Sequence, residues 1–108
     1  MTNYPDKWVC IKLTPKDKKS YYRIFASWYG GYLGSDSWQL NSGVETVKLH
    51  EESYQFIGKS GSIYQCHKNT YGTNGYTSGV LNQMINGVKD DIAIEVMPED
   101  TDFLTLEY

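Results

Sequence analysis

"YYRIFASW", Tyr21 to Trp28, is the stretch that decides the fold. Side chains of a strand alternate between two faces. Tyr22, Ile24, Ala26 and Trp28 therefore share one face, and Tyr21, Arg23, Phe25 and Ser27 share the other. Both faces carry aromatics, so this strand is central or is covered on both sides. Upstream, "KWVCIKL" (7–13) alternates too, with Val9, Ile11 and Leu13 on one face. "TPKDKKS" between them is a Pro- and Lys-rich turn, so the two runs read as a hairpin.

Downstream, "VETVKLH" (44–50), "YQFIG" (54–58) and "SIYQCHK" (62–68) are short runs separated by "EES" and "KSGS". They read as an antiparallel meander. In "SGVLNQMINGVKDD", Val80, Leu81, Met84, Ile85 and Val88 recur at helical spacing. Thr77 or Ser78 can cap that helix, and Gly87 stands where a C-terminal glycine belongs. "DIAIEVMP" (91–98) is a further strand, and "FLTLEY" a last strand or an extended tail. The expected fold is α+β, a single domain over 1–108. It is a twisted, mostly antiparallel sheet of about 5–7 strands with one short helix packed on it.

A chain of 108 residues, 40% hydrophobic and 21% charged, can bury a core and is neither disordered nor a membrane protein. No apolar run approaches the roughly 20 residues a membrane helix needs. "MTNYPDKWVC" lacks a signal-peptide pattern, so the expectation is a cytoplasmic protein. The net charge is −3, and no base follows Lys89 while seven acids do. Nucleic-acid binders show the reverse balance, because phosphate contacts need cations. An acidic end serves solubility or docks on a basic partner.

Known chemical motifs are missing: no Walker loop, no dinucleotide glycine fingerprint, no H-E-x-x-H and no Cys-x-x-Cys. "GKSGS" (58–62) has the composition of a phosphate loop without its spacing or its helix, so it reads as a hairpin turn. Cys10 and Cys66 read as buried thiols. Cys66 and His67 are adjacent, so on a strand they face opposite ways and do not share a metal ion. Cys66 or Ser62 with His50, oriented by Asp36 or Glu51, would make a nucleophile–base pair only if the fold converged them. The expectation is no catalytic residue, no metal and no cofactor.

Aromatics make up 15% of the chain. Trp8, Tyr22, Phe25, Trp28, Phe56 and Tyr64 suit a core. The loops "SWYGGYLGSDSWQLNSG" (27–43) and "NTYGTNGYTSG" (69–79) set aromatics among Gly, Ser, Asn and Thr, the composition of binding loops. The candidate binding residues are Trp28, Tyr29, Tyr32, Asp36, Trp38, Tyr71 and Tyr76. A concave pocket between the loops would favour a small ligand, a nucleotide or a sugar. A flat aromatic patch would favour a protein partner. Self-association through that patch or an unpaired edge strand stays open.

"SDSWQLNSGV" followed by "YQFIGKSGSIYQCHKNTYG" resembles the small accessory proteins of T-even-type tailed phages, over roughly residues 22–85. The resemblance is one of general pattern and transfers no site residue. It implies a non-enzymatic inhibitor or modulator of a host protein, a defence or metabolic enzyme, bound in the host cytoplasm.

Overall fold

A computed structural model describes residues 2–30, 34–87 and 91–108. Its strands are β1 (Thr2–Asn3), β2 (Lys7–Pro15), β3 (Tyr21–Trp28), β4 (Ser37–Leu40), β5 (Val44–His50), β6 (Ser53–Gly58), β7 (Ile63–His67) and β8 (Ile92–Val96). One α-helix, α1 (Gly75–Gly87), precedes β8. The protein is α+β, but its strands divide between two four-stranded sheets, ordered β4-β3-β2-β8 and β1-β7-β6-β5.

The β2–β3 hairpin runs in register from Lys7 opposite Ser27 to Leu13 opposite Tyr21. β4 and β8 flank it, both antiparallel. The meander β5–β6–β7 forms the second sheet, with β1 parallel to β7 at its edge.

β3 is central, and both of its faces are covered. Ile24 and Ala26, with Trp8, Cys10 and Tyr22, meet Val44, Phe56, Tyr64 and Cys66 of the second sheet. Phe25, with Val9, Ile11 and Leu13, meets Leu81 of α1, flanked by Val80, Met84 and Ile85. The layers are thus sheet, sheet and helix. Fully burying each large apolar side chain in these two cores contributes about 1.5–3 kcal/mol.

The split into two sheets is made at one corner. Asn41 Oδ1 accepts from the Ile24 N–H at 2.9 Å and from the Gly43 N–H at 3.3 Å. The Arg23 Nε–H donates to the Asn41 carbonyl at 2.8 Å. Gly43 then turns with φ +116°, a conformation open to glycine and costly for other residues. The chain leaves the edge of one sheet and starts the edge of the other.

Three expectations are corrected. Residues 37–40 are not loop: they pair with β3 as β4. The helix starts before Thr77 and Ser78, because Asn74 caps it. Asn74 Oδ1 accepts from the Thr77 N–H at 2.8 Å, and Thr77 Oγ1 accepts from the Asn74 N–H at 2.9 Å. This reciprocal pair satisfies donors that a helix start otherwise leaves free. "FLTLEY" forms turns, not a strand. It is held by Phe103, 1% exposed, whose ring lies 5.4 Å from those of both Trp8 and Tyr54. Val88, in the expected helical stripe, lies outside the described residues.

Candidate binding site

The site forms where β3 ends and β4 begins. Trp28, the last residue of β3, is half-buried and donates Nε1–H to the Tyr4 carbonyl at 3.0 Å. The Tyr29 N–H donates to Asp6 Oδ2 at 2.8 Å. These two bonds tie the N-terminal segment to the start of the loop. The loop neck is then pinched shut: the Gly30 N–H donates to Asp36 Oδ1 at 2.9 Å. A side-chain carbon at Gly30 would stand 2.3 Å from the Ser35 carbonyl. The glycine richness of this stretch therefore serves a backbone-to-backbone contact that any side chain would block.

Trp38 lies on β4 opposite Ser27. Its ring stacks on Phe25, centroids 5.5 Å apart and planes 13° from parallel. Leu40 and Phe25 place this face of the sheet toward α1. Tyr76, in the first turn of α1, is 55% exposed. Ser35, Asp36 and Tyr76 line a cleft of about 440 Å³ between the first loop and the helix start.

The expected residues thus separate. Asp36 and Tyr76 line one cleft, and Trp38 stands on β4, close to Asp36 in sequence. Tyr29 is exposed nearby, while Trp28 is tied into the fold. Tyr32 lies outside the described residues. Tyr71 is engaged elsewhere. Its hydroxyl donates to the Met97 carbonyl at 2.5 Å and accepts from the Cys10 N–H at 3.2 Å. Its ring meets Trp8 edge-on at 4.7 Å. Burial pushes its phenol well above the ordinary range, with the Cys10 bond opposing in part.

Three participants escaped the sequence reading. Ser35 lines the cleft; its only signal was its place beside Asp36. Tyr4, 64% exposed, joins the same end through Trp28. Asn74 sets the helix start, and its signal was legible: an Asn followed three residues later by a hydroxyl partner. Near this end, Ser27 Oγ and Asn74 Nδ2 are buried without a hydrogen-bond partner among the described residues.

The other chemistry does not converge on this site. Cys10 and Cys66 are both fully buried between the sheets. Burial pushes the Cys10 thiol up to about 12 and the Cys66 thiol well above its ordinary 9.0. Thiols so held are not thiolates at neutral pH and do not act as nucleophiles. His50 and His67 are exposed and share one row across β5, β6 and β7, through Ser53. Cys66, one residue from His67, faces the core, so Cys66 and His50 lie on opposite faces of the sheet. His67 Nδ1 accepts from the Asn69 N–H at 3.0 Å. Among the described residues no group of three or more His, Cys, Asp or Glu is placed to hold a metal ion. No helix among them is long and apolar enough to cross a membrane. "GKSGS" is a hairpin turn, with the Gly58 N–H donating to the Ser62 carbonyl at 2.8 Å and β7 following.

Compared with known proteins, the chain matches no family model, no curated protein and no solved structure.

Proposed function

We propose that the protein is a non-enzymatic binding module that captures a protein partner at the β3–β4 end. In the setting its sequence resemblance implies, it is a phage-encoded inhibitor or modulator of a host protein, acting in the host cytoplasm. One observation carries this reading: exposed aromatics gather around the cleft. Tyr4, Tyr29, Trp38 and Tyr76 are 64%, 53%, 39% and 55% exposed. Bonds from Trp28 and Tyr29, the β3–β4 pairing and the cleft itself bring them to one end. Tyr and Trp on such a surface supply large contact area at low entropic cost.

The concavity supports a second reading, a small planar ligand such as a nucleotide or sugar. The cleft's volume of about 440 Å³ lies within the range of small-molecule sites, roughly 300–1,000 Å³.

The two readings part in one experiment. Wild type and a Trp38→Ala/Tyr76→Ala variant, each shown to be folded by near-UV circular dichroism, are used as bait in bacterial lysate. A stoichiometric partner held by wild type and lost by the variant supports the protein-binding reading. No partner for either, with a thermal shift on adding nucleotides or sugars, transfers the site to the second.

A further inference from the structure

We infer that the group anchored in the cleft is a cationic side chain of the partner, with an arginine guanidinium the best fit. This rests on the protein-binding reading of the same cleft and adds the chemistry of the anchor. Asp36 is the charged group in the described lining. Among the described residues it receives one hydrogen bond, from the Gly30 N–H to Oδ1. A single neutral amide does not cancel a carboxylate charge, and a carboxylate has about four lone-pair sites to fill. Any occupant that displaces water from the cleft must replace those lost bonds with donors. An anionic occupant meets repulsion, and an apolar one leaves the carboxylate bare.

Tyr76 lines the same cleft as Asp36. An aromatic face attracts cations through its quadrupole. A guanidinium is planar, so it can stack on that face while forking onto the carboxylate. An ammonium can satisfy either contact but lacks the plane.

Six cations among the described residues are placed elsewhere. Lys16, Lys18 and Lys19 belong to the β2–β3 turn, at the opposite end of that sheet. Arg23 donates its Nε–H to the Asn41 carbonyl, and Lys68 lies over the Tyr54 ring. Lys7 shares the strand row of Ser27 and Trp38, but its Nζ lies beside Gly72. Gly72 donates its N–H to the Trp8 carbonyl, at the β2 edge away from β4. The chain as a whole carries a net charge of −3, which favours approach of a basic partner surface.

The test pans a random dodecapeptide library on immobilised wild type and on Asp36→Asn. Asparagine keeps the oxygen that accepts from Gly30 and removes the charge. The expected result is that wild type enriches peptides with Arg at one common position. A synthetic peptide from that set should bind Asp36→Asn at least roughly tenfold more weakly. Replacing its arginine by citrulline should cost the same factor on wild type and little more on the variant. Enriched peptides anchored by neutral or acidic residues would overturn the cation assignment and leave the binding module standing. Cationic peptides that bind both proteins equally would overturn it as well. No enrichment on wild type would overturn the assignment together with the protein-binding reading.

Discussion

Raising the pH should unfold this protein earlier than its surface suggests, because two thiols are locked between the sheets. Cys10 and Cys66 are both 0% exposed and both have pKa values raised by burial. In the unfolded chain each titrates near its ordinary 9.0. In the folded chain each keeps its proton until far higher pH, about 12 for Cys10. The unfolded state therefore sheds protons first, and stability is whole below pH 9 and falls as pH rises toward the folded values. One pH unit above the unfolded pKa, each thiol withdraws about 1.4 kcal/mol, so the pair removes about 3 kcal/mol between pH 8 and pH 10. That is a large part of the 5–15 kcal/mol typical of a domain. Tyr64, Tyr71 and Tyr108, also raised by burial, act in the same direction once their ordinary value of 10.0 is passed. The assay is urea unfolding at pH 8, 9 and 10 under reducing conditions, beside a Cys10→Ala/Cys66→Ala variant. The variant starts less stable but should lose most of the slope over this interval. A loss under about 1 kcal/mol in wild type would refute the reasoning, as would labelling of native thiols at the rate of a free cysteine.

Phe103→Ala should cost about 3–5 kcal/mol in urea unfolding at pH 7, as for other buried aromatics; a cost under 1 kcal/mol would mean that the C-terminal turns are not part of the core. Tyr71→Phe should cost about 2–4 kcal/mol, because the Met97 carbonyl and the Cys10 N–H both lose a partner, and it should leave capture at the β3–β4 end unchanged. Ser27→Ala should leave the urea midpoint unchanged or raise stability by about 1 kcal/mol, since the deleted hydroxyl is fully buried and has no partner among the described residues; a loss above 1 kcal/mol would show that the hydroxyl is satisfied in solution.

The central place of β3 was legible because both of its faces carry aromatics, and each face found a layer. The period-two pattern does not say whether successive hairpins continue one sheet or stack as two. Here that choice sits in Asn41, whose side-chain oxygen takes the Ile24 N–H, and in Gly43, which turns the chain. Neither leaves a trace in hydrophobic period. β4 was hidden for a related reason. "SWQL" is four residues long, largely exposed and set among Gly and Ser, so its alternation is too short to stand above loop composition. It is a strand because β3 offers it a free edge.

Composition identified the end of the molecule where exposed aromatics gather, but not which aromatics face outward. Tyr71 and Tyr76 are five residues apart in one Tyr-, Gly- and Asn-rich run. Their surroundings differ because of events far along the chain. β8 pairs with β2 only from Ile11 to Pro15, so the edge of β2 at Trp8 is left open. Tyr71 fills that opening as a parallel bridge to Trp8, and its hydroxyl reaches Met97, one residue beyond the end of β8. Tyr76 comes one residue after the start of a helix whose packed stripe is Val80, Leu81, Met84 and Ile85, and its position falls outside that stripe. A tyrosine in such a loop is assigned to core or surface by the edge its neighbours leave unpaired, and that edge is a property of strand lengths, not of the loop.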